Sequence, residues 1–165
     1  MSIQVLILMG SPSDAPVMQG ATDILKELGI AAEATVASAH RSPARVERLV
    51  AEAPARGVRV FIVGAGGAAH LAGVVAAHTT LPVIGVPIDS SALQGLDALL
   101  STVQMPPGVP VATVAIGKPG ATNAGILAAQ MIALGDARVA VALAEYKKTL
   151  AEKVEATAER RRQRT

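Results

Sequence analysis

Residues 58–73 read VRVFIVGAGGAAHLAG, and the change of character inside this stretch decides the fold. The strand expected at 58–63 is a short apolar run bounded by Arg59 and Gly64, the mark of burial. A loop of Gly and Ala follows, with a single histidine, His70, at its far end. Gly64, Gly66 and Gly67 open backbone conformations closed to other residues and let a ligand approach the main chain closely. With only alanine methyls beside them, the loop offers exposed N–H groups and a small, weakly polar space. A parallel sheet keeps its ligand site in such a place, just past the carboxyl end of a strand.

Working outward, residues 3–9 (IQVLILM) form a continuous apolar run, as in a strand buried on both faces. Helical spacing then covers 15–28, with Ser13 or Asp14 as N-cap and Gly29 as the C-terminal glycine. A second strand is expected at 30–37, and a helix from Ser42 (N-cap) and Pro43 to near Gly57. A short helix at about 70–78 and a fourth strand at 82–86 come next. The helix expected at 90–103 turns Leu93, Leu96, Leu99, Leu100 and Val103 inward. After the turn-rich MPPGVP at 105–110 lie a fifth strand at 111–116, a loop at 117–122 and a helix at 123–134. A last charged helix starts at Asp136, and its tail beyond about Glu159 (ERRRQRT) reads as frayed and solvated. Five strands alternating with helices predict a three-layer α/β fold with a parallel sheet. The chain is one domain over 1–165, with its core in 3–135 and a C-terminal helical extension.

Composition excludes several classes of function. The net charge of +2 is local, because residues 145–165 hold seven Lys or Arg against four Glu and the rest sum to −1. A general nucleic-acid footprint is therefore not supported. With no cysteine there is no disulfide, thiolate catalysis or Cys-based metal site. The His residues lie at no metal-ligand spacing with carboxylates, so no metal is expected. The amino end carries no basic segment or cleavage site, which leaves the cytoplasm as the expected location. From residue 60 to 135 the formal charges are Asp89, Asp97 and Lys118. Five Gly, two Pro and two His interrupt the uncharged stretch 60–88, which rules against a membrane span. Such a charge-poor region is expected to be covered by other copies of the chain.

Three loops gather at one edge of such a sheet: GSPSDA, SAHRSP and GAGGAAH. Ser11, Ser13 and Asp14 stand at a helix start, where hydroxyls and N–H groups suit a phosphate and a carboxylate suits a sugar diol. Simple helix capping explains Ser13 and Asp14 equally. Arg41 brings a fixed fork for phosphate or carboxylate, and beside it His40 can give and take a proton near neutrality. His70 reads either as part of the site or as a buried, hydrogen-bonded structural residue, and His78 as a surface or packing residue. The third loop also fits a degenerate dinucleotide pattern at 64–69, with Asp89 20 residues beyond Ala69. That pattern sits on the third strand and before a helix of barely two turns, unlike the usual dinucleotide fingerprint.

GSPSD, SAHRSP, GAGGAAHLAG, the run from 86 to 111 and residues 115–130 resemble the class I 5-(carboxyamino)imidazole ribonucleotide mutase family, also called the catalytic subunit of phosphoribosylaminoimidazole carboxylase. The likeness covers about residues 3–135. It implies a flavodoxin-like fold and a homo-octamer with sites between subunits. It also implies a cofactor-free, metal-free transfer of a carboxylate from an exocyclic nitrogen to C4 of an imidazole ribonucleotide. By position, His40 is the general acid/base. Arg41 with Ser11, Ser13 and Ser38 holds the phosphate end, and Asp14 the ribose hydroxyls. Gly66, Gly67, Ala68, His70 and Leu71 wall a pocket that retains CO2, and Ala39 and Ala65 lie beside them in the same substrate-binding motifs. Ala15 stands where an aromatic residue is common, which loosens the expected site wall, and Ala72 where a proline is common. SAHRSP and an intact GGAAH differ from the class II relatives, which carboxylate the aminoimidazole directly with CO2 and commonly show SAHK.

Overall fold

The apolar run at the amino end becomes β1 (Val5–Met9), and the computed structural model, which describes residues 2–162, buries all five of its residues. Around it lie β2 (Ala32–Val36), β3 (Val60–Gly66), β4 (Val83–Ile88) and β5 (Ala112–Thr113). All pairings are parallel, in the order β2-β1-β3-β4-β5. Successive side chains of a strand point to opposite faces. Val5, Ile7 and Met9 therefore join one core cluster with Val60 and Ile62. Leu6 and Leu8 join the other with Phe61 and Val63. Each large side chain fully withdrawn from water contributes roughly 1.5–3 kcal/mol.

Helices α1 (Ala15–Glu27) and α5 (Gly117–Ala133) pack on the first face, with α6 (Ala137–Arg162) against α5. Helices α2 (Pro43–Glu52), α3 (Leu71–Ala77) and α4 (Leu96–Val103) cover the second. The three-layer parallel α/β fold is thus as the sequence predicts, and its strand order is flavodoxin-like. Gly29 closes α1 in the left-handed region (φ +73), with Ile30 N–H on Leu25 O at 2.8 Å and Gly29 N–H on Lys26 O at 3.1 Å. Asp136 starts α6 by accepting from the N–H groups of Arg138 and Val139, and the Arg138 guanidinium beside it holds its carboxyl below the usual range.

Several boundaries differ from expectation, each for a packing reason. β3 runs on to Gly66 because Ala65 and Gly66 still pair with Pro87 and Ile88. Gly64 belongs to that strand, and its missing side chain makes room for Met18, whose sulfur lies 2.4 Å from where a Cβ would sit. β4 likewise continues through Pro87. The ladder to β5 ends at Gly85, whose carbonyl accepts from Val114 N–H, so no partner loses a bond where proline lacks its N–H. Residues 117–122, expected as a loop, form the opening turns of α5. Pro119 falls within the first four residues, whose N–H groups have no helical partner in any case.

Of the inward face expected for 90–103, only Leu99 is even half-buried. Helix α4 starts only at Leu96, and Leu93, Leu96, Leu100 and Val103 are exposed. Ala98 and Thr102 face the sheet instead, because Gly85 lets the helix come close enough for the Thr102 methyl to occupy the space of a Cβ. The last helix continues to Arg162 rather than fraying near Glu159; the end of the expected tail lies outside the described residues.

Candidate active site

Helices following β1 and β3 leave the sheet on opposite faces, which opens a crevice at the carboxyl ends of these neighbouring strands. Gly10, directly after β1, donates its N–H to Gly64 O at 3.1 Å and fastens the first loop to β3. The loop then turns through a 3₁₀ segment, Pro12–Asp14. Ser11 caps this segment: its Oγ accepts from Ser13 N–H at 3.3 Å and lies 2.8 Å from Ser13 Oγ, while Asp14 stands at the N-cap of α1, as expected, without a side-chain cap bond there. Asp14 reaches back to accept Ser11 N–H at 2.9 Å. Burial pushes the Asp14 carboxyl above its ordinary value, opposed by the N–H groups of Ser11 and Gly10.

The second loop is tied to itself by serine hydroxyls. Ser42 Oγ accepts from Ser38 N–H at 3.1 Å and donates to Ser38 O at 3.2 Å, so it locks the loop and makes no side-chain cap for α2. Arg41 N–H donates to Ser38 Oγ at 3.1 Å. His40 and Arg41 stay exposed at the rim. The third loop returns through Gly67 and Ala69, both at positive φ (60° and 45°), to His70 at the start of α3. There the loops meet: His40 Nε2 lies 2.7 Å from His70 Nδ1, with the rings edge to face at 84°. His70 is exposed and bonded across the site, so the reading of it as a buried structural residue is set aside.

These loops enclose a cleft of about 170 Å3. Of the residues singled out from the sequence, Ser11, Ser13, Asp14, Ser38, Ala39, His40, Arg41, Ala65, Gly66, His70 and Leu71 line it. Gly67, Ala68 and Ala15 are not among its lining residues. Gly10, Ala69 and Ser90 complete the wall. Ser90 escaped the sequence reading because it follows β4 and reaches the cleft across Gly66; its Oγ lies 1.8 Å from where a Gly66 Cβ would sit. Among the described residues no group of three or more His, Asp or Glu could hold a metal ion. No described helix is long and apolar enough to cross a membrane.

The cleft is lined by small apolar residues (Ala65, Gly66, Leu71), by the buried Asp14 carboxylate with the Ser11 and Ser13 hydroxyls, and by the exposed His40, His70 and Arg41 side chains. Such a layout suits a small anionic ligand and proton transfer. The class is a doubly wound α/β protein with a small-molecule site at its topological switch point. The family model described as AIR carboxylase matches residues 4–153, and the chain belongs to that family. It is 53% identical over 154 residues to the N5-carboxyaminoimidazole ribonucleotide mutase of Brucella melitensis, covering 93% of this chain and 95% of the relative. Against the protein of the same name from Thermotoga maritima it is 53% identical over 157 residues, covering 95% and 91%. The crystal structure of Treponema denticola PurE superposes with a TM-score of 0.86 at 30% identity, covering 95% of this chain and 97% of that one.

Proposed function

We propose that the chain is an N5-carboxyaminoimidazole ribonucleotide mutase of purine biosynthesis, an isomerase that moves a carboxylate between two atoms of one nucleotide. The observation that carries this reading is the His40–His70 contact of 2.7 Å in a cleft lined also by Ala65, Gly66 and Leu71 and by Ser11, Ser13 and Arg41. Arg41 and the serines hold the phosphate, and Asp14 accepts from the ribose hydroxyls. His40 is the general acid and base. It delivers a proton as the N–CO2 bond breaks, which leaves neutral CO2 and the aminoimidazole. CO2 then bonds to C4, and His40 takes the proton that C4 gives up.

Freed CO2 is apolar and is held better by Ala65, Gly66, Ala69 and Leu71 than by a wet polar cleft. Keeping it beside C4 makes recapture a local event rather than a bimolecular one. No cofactor enters, since neither bond change needs an electron carrier. We infer further that the working form is a homo-oligomer, an octamer on the family resemblance, and that it acts in the cytoplasm.

The family model's description favours one second reading, direct carboxylation of the aminoimidazole ribonucleotide by CO2. One assay separates the two. Purified protein is given the carbamate ribonucleotide without ATP, biotin or metal, or the aminoimidazole with bicarbonate. Rapid isomerisation of the carbamate is expected, with loss of about a hundredfold or more in kcat for His40→Asn. Use of bicarbonate alone would sink the mutase reading, and an unimpaired His40→Asn would sink the proton role.

A further inference from the structure

Loop 66–70 holds His70 against His40, yet its backbone is poorly suited to hold itself. Ala69 sits at φ 45°, a region a residue with a Cβ enters only when its surroundings impose it. Within the loop a single turn bond, Ala69 N–H on Gly66 O at 3.1 Å, restrains it. The tie to another element comes from α4: Ser101 Oγ donates to Ala68 O. Hydroxyls within helices commonly bond the carbonyl four residues back, as Thr102 does to Ala98 O at 2.7 Å and Thr157 to Lys153 O at 2.8 Å. Ser101 forgoes that bond and crosses to the loop. It does not line the cleft.

We propose that Ser101 is a positioning residue for His70: its hydroxyl on Ala68 O fixes the turn through 67–69 and so sets the imidazole against His40. The inference rests on the proposed function for its kinetic consequence, whereas its structural core does not. The chain has three histidines, so a spectrum of the 15N-labelled imidazoles resolves His40 and His70, with His78 as internal control.

Ser101→Ala should move the His40 and His70 ring-nitrogen signals and leave His78 in place. It should lower kcat about tenfold, as misplaced catalytic groups do, with KM nearly unchanged because the phosphate contacts lie on other loops. Ser101→Thr should restore both readouts. If Ser101→Ala does not fold, the comparison of Ser101→Thr with Ser101→Val, alike in shape and differing in the hydroxyl, replaces it. A folded Ala or Val variant with unchanged histidine signals and kcat would overturn the positioning role. A wild type that isomerises nothing, while its His40 and His70 signals still respond to Ser101→Ala, would overturn the proposed function and support this inference.

Discussion

Asp14 is only 4% exposed, and burial is the larger influence on its carboxyl, raising its pKa above 3.8 despite two backbone donors. An acid whose folded pKa is raised supports the fold while protonated. That support is complete below the ordinary value and is lost as pH rises through the folded pKa. Asp14→Asn keeps an oxygen for Ser11 N–H and removes the charge. Thermal melting should therefore find the variant more stable than wild type at pH 7, with the gap closing below about pH 4. A gap that instead widens on acidification would refute the burial account. On the proposed role of Asp14, the same variant should also bind substrate more weakly, because the ribose diol would lose its anionic acceptor; equilibrium titration of substrate checks this.

At the scale of the element, close approaches decide where helices begin and how near they lie. Gly20 and Gly125 let α1 and α5 touch: a Cβ at Gly125 would sit 2.3 Å from Ile24 Cγ2. Gly120 is tighter still, with Ala115 O 1.6 Å from the position of a Cβ, and that oxygen belongs to the backbone. Gly120→Ala must push the start of α5 away from the segment after β5, at a cost of about 3 kcal/mol or more. Gly29→Ala meets nothing within 4 Å and faces only its φ of +73°, about 1–2 kcal/mol. Chemical denaturation should rank the two variants in that order. Equal losses would mean that the contact at Ala115 yields freely.

For the whole molecule, the arrangement of apolar surface is the open account. Leu93, Leu96, Leu100 and Val103 form a stripe facing solvent in the single chain, with Leu96 53% and Leu100 51% exposed. Stripes of this kind mark contacts between chains. Light scattering should give a multiple of the 16.7 kDa chain mass, eightfold on the family resemblance. Leu96→Glu with Leu100→Glu should lower that mass by placing charges in the contact. A wild-type monomer in dilute neutral buffer would remove the argument. Because Ser101 shares α4 with these leucines, loss of assembly should also weaken turnover.

Residue order alone was enough to read the parallel α/β class, the five strands and the three loops that meet at one edge. Continuous apolar runs such as VLILM and VFIV are buried on both faces in any sheet, and punctuation by Gly, Pro and Ser marks where each run must stop. Which side of α4 faces inward was beyond its reach, since the apolar stripe at 93, 96, 100 and 103 names a face without naming its neighbour. Only the packed fold answered that, through Gly85 admitting Thr102. The reach of Ser90 past Gly66 and of Ser101 to Ala68 O joins residues 24 and 33 positions apart. Contacts at such separations leave no period in a sequence. They exist once the layers have closed and set the distances between them.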